Sequence, residues 1–338
     1  RLVVRHIEPS DLNAAAELLA ARHRADSARL PFLEPAYADA DGARKLIEPL
    51  IANPRADGVV AEEHGRVVGF LIGERMLLSP TDMASLFVPP HSIAIPVEGH
   101  AVAEGGDTAG TYRDMYAELA RGWVADGYFI QRAAIPAGDP AVQEAFVALG
   151  FGRFLTAATR PTGQIEGPVR AGVDIRRASP EEIDDVISLA DALNAHHWQS
   201  PMFWPVLPET EEASGEFNLA QLRSAQMPYF VAYQDGVPGG MQTFLKPGFT
   251  PPIVAREGDV YLFEGVVSPD IRGAGIGTAL LAHSMDWARS EGLATCTLHF
   301  APGNPVGAPF WLGHGFTPVE YTMERRLDER IAWARPRP

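Results

Sequence analysis

Arg272, Gly273, Ala274, Gly275, Ile276, Gly277 and Thr278 follow an apolar run, Val260 to Val267, across the corner Ser268-Pro269-Asp270. An arginine supplies a fixed positive charge. Closely spaced glycines let successive backbone N–H groups converge on one anion, and a helix opening at that point adds unpaired N–H groups and the positive end of its dipole. The spacing therefore predicts a phosphate site with a helix beginning near Thr278. Two other glycine-rich readings fail on their endings. A P-loop closes on Gly-Lys-Ser/Thr, whereas this turn closes on Gly277-Thr278-Ala279; a G-x-G-x-x-G fingerprint begun at Gly273 meets Thr278 at its last glycine.

A second chemistry lies in the strand before the turn. Glu264 is a carboxylate in an otherwise apolar run, where burial is costly without a purpose. Desolvation there raises its pKa towards neutrality, as a general base requires. The plain alternative is a glutamate paired with an arginine or lysine on a solvated strand face. Tyr261 is a weaker candidate, expected on the opposite face by strict alternation. His299, alternating with Leu298 in the strand-like run Ala294 to Phe300, either lines a cleft or sits hydrogen-bonded in the core. The stretch Asn194 to Pro205 gathers His196, His197, Trp198, Phe203 and Trp204, which either wall an acceptor pocket or seal a contact with the other half of the chain. Adjacent histidines point in different directions, and Cys296 is the single cysteine, so neither a metal site nor an internal disulfide is expected.

After Phe300 comes N-P-V-G-A-P-F-W-L-G-H-G-F. Together with R-x-x-G-x-G behind an apolar strand, this resembles the GCN5-related N-acetyltransferase (GNAT) family, whose second block carries Asn, a helix with Ala, an aromatic-Tyr pair and a closing Gly-Phe. Asn304, Ala308, Phe310, Gly315 and Phe316 match, whereas Trp311 stands where many members place the tyrosine that protonates the departing thiolate. An indole N–H cannot give up a proton at neutral pH. The resemblance implies acetyl-CoA as co-substrate, with the backbone of Val266 and Val267 pairing with the pantetheine amides. It implies Arg272, Gly273, Ala274, Gly275, Ile276, Gly277 and Thr278 around the pyrophosphate and Asn304 on the cofactor arm. His197, Trp198 and Trp204 fall in the family's acceptor-binding loop. Glu264 becomes the group that takes the proton of the amine, and L-F-E-G-V-V-S-P is similar to the matching segment of aminoglycoside 6′-acetyltransferases. The implied activity is acetyl transfer to a small amine by direct attack; the alternative is a catalytically silent acyl-CoA-binding regulatory or scaffold protein.

The rest of the chain must position these groups. At 338 residues, 46% hydrophobic and 21% charged, its composition is that of an ordinary soluble protein with room for two domains. A net charge of −15 argues against nucleic acid and favours a cationic acceptor such as a polyamine or amino sugar. No apolar run reaches the roughly 20 residues of a membrane span, and no signal segment opens the chain, so a cytoplasmic monomer or homodimer is expected, with a small-molecule amine as partner and no membrane.

The sequence also repeats. Arg5, Pro9, Asp11 and Leu12 return as Arg176, Pro180, Glu182 and Ile183, and the Ala61 hairpin returns at Ala232, all at an offset of 171. Gly127 and Gly292, and Gly150-Phe151 and Gly315-Phe316, match at 165. The expected fold class is α/β, two tandem GNAT-like domains, each a mixed, mostly antiparallel sheet flanked by helices: 1–160 degenerate, 161–172 a Gly/Pro-containing linker, 173–338 catalytic. Each half should run strand, one or two helices, hairpin, strand, helix, strand, short helix, strand. In the second half Ile175 to Arg177 begins the sheet, Ser179 caps a helix reaching about Ala195, and Asp235-Gly236 turns a hairpin. At the offset of 165 Arg272 falls on Asp107, whose charge repels a pyrophosphate. The first half is therefore expected to lack this cofactor mode. Its strand Ile93 to Val102 carries Glu98 and His100, either relics or a second acceptor site, or simply polar residues tolerated on a strand.

Overall fold

In the computed structural model, which describes residues 2–30, 32–167 and 172–334, the repeat in the sequence becomes a repeat of elements. The first half runs β1 (Leu2–His6), α1 (Leu12–Ser27), α2 (Ala40–Ala52), β2 (Ala56–Glu63), β3 (Arg66–Leu77), β4 (His91–Ile95), β5 (His100–Val102), α3 (Thr108–Ala125), β6 (Ile130–Pro136), α4 (Pro140–Ala148) and β7 (Gly152–Pro161). The second half runs β8 (Asp174–Arg177), α5 (Ile183–Trp198), α6 (Pro208–Ser224), β9 (Tyr229–Gln234), β10 (Val237–Leu245), β11 (Asp259–Val267), α7 (Ile276–Ser290), β12 (Thr295–Phe300), α8 (Gly307–Gly313) and β13 (Thr317–Arg326).

Local chemistry accounts for the match. The hairpin turns His64-Gly65 and Asp235-Gly236 both hold two successive left-handed residues, with φ of 52° and 77° in the first and 52° and 80° in the second. That is the conformation a two-residue turn needs to follow the twist of its strands. Before α5 the Ser179 N–H donates to Glu182 Oε2 at 2.9 Å, forming one arm of a capping box. The helix continues to Trp198 rather than Ala195. The run expected as one strand, Ile93 to Val102, is instead broken between β4 and β5 by a turn at Val97–Gly99.

The two halves share one sheet. Among the described residues it has thirteen strands in the order β1-β2-β3-β4-β6-β13-β7-β12-β11-β10-β9-β8, with β5 added on β3. The last strand of each half crosses to the other: β13 lies between β6 and β7, and β7 lies between β13 and β12. Each half thereby fills a gap that would otherwise leave unpaired N–H and C=O groups. β7 extends to Pro161, and Arg160, expected just before a linker, is buried and donates to the His314 carbonyl at 2.5 Å. Of the expected linker, Pro168 to Ala171 lie outside the described residues.

Helices cover both faces. In the second half Ile276, Leu280, Leu281 and Met285 of α7 pack on Phe230, Phe244 and Val260, while Val186, Leu189 and Ala190 of α5 pack on Tyr229, Val231 and Met241. A further cluster joins Leu30, Leu33, Val97 and Ala157 to Ile253, Val254 and Val319 across the seam between the halves. No helix among the described residues is long and apolar enough to cross a membrane.

Candidate active site

The strands part where the sequence places its carboxylate. β11 pairs with β12 only from Asp259–Leu262 against Thr295–Leu298; beyond this, β11 pairs with β10 alone. At the same point the β10–β11 register slips: Leu262 faces Phe244 and Glu264 faces Thr243, so Phe263 is an extra, bulged residue. A bulge reverses the faces that follow it. Val260 and Leu262 point into the core under α7, whereas Val266, two residues after Glu264, packs on the α5 side with Tyr229 and Met241. The bulge therefore brings Tyr261 and Glu264 to one face, which corrects the expectation from strict alternation. A cleft of about 340 Å³ lies between the parted strands.

One end of the cleft is built for an anion. Gly273 and Gly275 have φ of 77° and 83°, in the left-handed region that side chains disfavour. α7 opens at Ile276, two residues before the expected Thr278, with Gly275 as a side-chain-free N-cap. The first N–H groups of the helix are left open to the cleft. Arg272 spends its Nε on the Val267 carbonyl at 3.0 Å, which fixes the guanidinium beside the turn. Gly277 serves packing, since a Cβ there would lie 3.2 Å from the Phe310 ring. His314 donates from Nδ1 to the Phe310 carbonyl at 2.7 Å, so its Nε2 accepts from the Thr278 hydroxyl at 3.2 Å. That pairing ties α7 to α8.

Other expected residues divide. Val267 turns its peptide groups outward, because Ser268 N–H bonds back to the Gly239 carbonyl and alternate residues alternate in direction. By the same alternation Val266 directs its N–H and C=O to Met241, so only its surface lines the cleft; it cannot serve as a pantetheine-pairing position. Ala274 does not line the cleft. Asn304 does, yet its Oδ1 already accepts from Val306 and Gly307 at 3.0 and 2.9 Å and lies 3.1 Å from His196 Nε2. It closes the turn that leads into α8 rather than offering that oxygen to a ligand. His197 and Trp204 line the cleft with ring centroids 5.1 Å apart. Trp204 also lies 5.2 Å from Phe154 of the first half, so it meets both roles proposed for its stretch. Trp198 does neither: it is 63% exposed and borders a separate groove between α5 and α6.

Among the described residues Glu264 is the one carboxylate lining the cleft. Burial pushes its pKa up to about 7, with a hydrogen bond from the Thr243 hydroxyl at 3.5 Å acting the other way. No arginine or lysine among the described residues pairs with it, which removes the solvated-ion-pair alternative. Beside it Tyr261 and His299 share a 2.7 Å hydrogen bond, and burial lowers the His299 pKa to about 4. At neutral pH this histidine is uncharged. Trp311 lines the cleft with its indole against Gly265.

The first half has the same parting of strands and fills it with its own side chains. His100 donates from Nε2 to the Ala134 carbonyl of β6 at 2.9 Å, bridging the gap, and its Nδ1 lies 2.8 Å from the Tyr112 hydroxyl. The buried guanidinium of Arg22 donates to the carbonyls of Val97, at 2.7 Å, and His100. Asp107 is the N-cap of α3 and accepts from Gly110 N–H at 2.9 Å, so a carboxylate occupies the place an anion would take. Glu98 stands in the turn rather than on a strand, with one carboxyl oxygen buried and without a partner among the described residues.

Sequence reasoning missed Thr243, which hydrogen-bonds Glu264, and Phe263, which lines the cleft. Both are placed by the register slip, and no local signal marks either.

Residues 190–316 match the sequence model of the Acetyltransferase (GNAT) family. Along nearly its whole length the chain is similar in structure to a GCN5-related N-acetyltransferase from Sphaerobacter thermophilus, with a TM-score of 0.61 at 16% identity over 97% of this chain and 96% of that one. It is also similar to a tandem GNAT protein from the clavulanic acid biosynthesis pathway, with a TM-score of 0.51 at 16% identity over 97% and 99%. A glucosamine N-acetyltransferase region of a fungal multi-domain β-N-acetylglucosaminidase gives a TM-score of 0.57 at 13% identity, over 96% of this chain and 38% of that one. No curated protein matches the sequence. At these identities the structures show a shared tandem fold.

Proposed function

We propose that the chain, whose residues 190–316 match the sequence model of the GNAT acetyltransferase family, transfers an acetyl group from acetyl-CoA to a small amine, with the cleft of residues 173–338 as the active site and the first half as its support. The observation that carries this reading is the placing of one half-buried carboxyl without a cationic partner among the described residues, Glu264, between parted strands and an uncapped helix start. The pyrophosphate would lie against Arg272, Gly273, Gly275 and the first turn of α7, held by charge and backbone N–H groups. The Val267 N–H, whose residue's carbonyl already accepts from Arg272, and the outward peptide groups of Gly265 can pair with the pantetheine arm and place the thioester beside Glu264.

An ammonium ion has no lone pair and cannot attack. Glu264, with a pKa near 7, accepts the amine proton directly or through one water. The nitrogen then forms its bond to the carbonyl carbon, a backbone N–H at the strand edge supports the developing oxyanion, and the carbon–sulfur bond breaks. The proton for the thiolate comes from the substrate ammonium or solvent, since Trp311 has none to give. Single occupancy is supported by the way Arg22, His100 and Asp107 fill the corresponding space in the first half.

The test is thiol release from acetyl-CoA against a panel of amines, with Glu264→Gln as control. Amine-dependent release by the native chain and its loss in the variant support the reading. Acetyl-CoA binding without turnover of any amine would instead favour the silent acyl-CoA-binding alternative, for which the missing tyrosine speaks.

A further inference from the structure

We infer that the acceptor is a primary amine carried on an aromatic or large apolar body, and that Phe87 and Phe154 of the first half, held by Arg132, set this preference. The inference rests on the acetyl-transfer reading for its chemistry and on a separate observation for its content. A polyamine or a multiply charged amino sugar needs several acidic partners, and among the described residues the cleft lining holds one carboxylate, Glu264. What surrounds that carboxylate is aromatic.

Phe263, the bulged residue next to Glu264, is the hub of one group. Its ring lies 5.6 Å from Phe87, 5.9 Å from Phe249 and 5.9 Å from Phe217. Phe87 and Phe249 are 41% and 48% exposed and meet the cleft through Phe263, which lines it. A clustered, exposed apolar patch at the rim of a polar site is a mark of ligand contact. Trp204 forms the other wall, backed by Phe154 at 5.2 Å.

One side chain organises the first-half share of both walls. The Arg132 guanidinium lies 4.2 Å from the centroid of Phe154 and donates to the Phe87 carbonyl. Its charge is met by Glu324 at 2.8 Å, so it does not repel an ammonium ion. The first half, its own groove filled, thus backs the acceptor walls of the second. Phe263 and Trp204 line the cleft, and Phe87 acts through the first and Phe154 through the second as positioning residues.

The test compares 2-phenylethylamine, spermidine and glucosamine as acceptors with acetyl-CoA, and measures 2-phenylethylamine binding to the CoA-loaded protein by calorimetry. The expected order puts 2-phenylethylamine first in kcat/KM by at least about tenfold, the loss of one ring contact or its gain being worth roughly that factor. Phe87→Ala and Phe154→Ala should raise its KM about tenfold with kcat and the KM for acetyl-CoA unchanged, and Phe154→Tyr should restore it. Preference for spermidine or glucosamine, or an unmoved KM in both alanine variants, overturns the inference while leaving acetyl transfer intact. Calorimetric binding that is weakened by Phe87→Ala, with no turnover of any amine, would support the pocket assignment and refute acetyl transfer. Absence of both binding and turnover of 2-phenylethylamine overturns the inference.

Discussion

The indole of Trp311 lies so close over Gly265 that a Cβ on that glycine would come within 2.9 Å of two of its ring carbons. The bare backbone of β11 is therefore the floor on which the indole rests, and the bond that a tyrosine hydroxyl would make is replaced by packing. Trp311→Phe should leave kcat within a few-fold and lower stability. Stopped-flow thiol release and thermal melting check this; a fall in kcat on the order of 100-fold at unchanged folding, the low end for acid–base catalysis, would give the indole a chemical role.

Glu264→Gln keeps shape and removes the base. It should lower kcat by roughly 10² to 10⁴ with the acetyl-CoA KM nearly unchanged. In the native chain the rate should rise with pH through an apparent pKa near 7 as the carboxyl ionises, because only the carboxylate accepts a proton. A variant with full rate and the same profile would leave deprotonation to solvent.

Arg272→Glu places a carboxylate against the proposed pyrophosphate position and should abolish the thermal shift produced by acetyl-CoA. Calorimetry of the native chain should give one site per chain. Two equivalent sites would contradict the filling of the first-half groove by Arg22 and His100.

Glu320 of β13 is buried at 6% exposure; burial and the nearby Glu98 raise its carboxyl pKa to about 8 against the opposing pull of Arg22. The folded chain thus holds this proton to higher pH than the unfolded one, whose carboxyl titrates near 4.5. Stability from this group is complete below about pH 4.5 and declines as pH rises to about 8, and Glu264 acts in the same sense up to about 7. Below about pH 6.5 the buried uncharged histidines His100, His197 and His299 act in the opposite sense, so the melting temperature should fall between pH 6.5 and 8, and Glu320→Gln should flatten part of that fall and raise the value at pH 8 by a few degrees. An unchanged slope in that variant would place the titration elsewhere.

A fragment of residues 173–338 retains every catalytic and phosphate-binding candidate but lacks β7, which separates β12 from β13. Size-exclusion chromatography should find it aggregated or associated through its open strands. A soluble monomer that binds acetyl-CoA would show that β13 can close on β12 unaided.

What the sequence determined by itself is what local chemistry governs. The turn from Arg272 to Gly277 is legible because left-handed backbone demands glycine at 273 and 275, and the repeated hairpins because His64-Gly65 and Asp235-Gly236 obey the same demand. Glu264 stood out as a carboxylate in an apolar run. The tertiary structure alone decided which way that carboxylate points, since the bulge at Phe263 arises from pairing with β10 and inverts the alternation read along one strand. It alone removed Trp198 from the cleft, by the extra turn of α5, and bound the Asn304 side chain into the turn before α8. The exchange of β7 and β13 has no local signature, because strand propensity fixes neither the partner nor the order in a sheet. Nor could the contacts of Phe87 with Phe263 and of Phe154 with Trp204 be read from the chain, because the residues of each pair lie far apart in sequence.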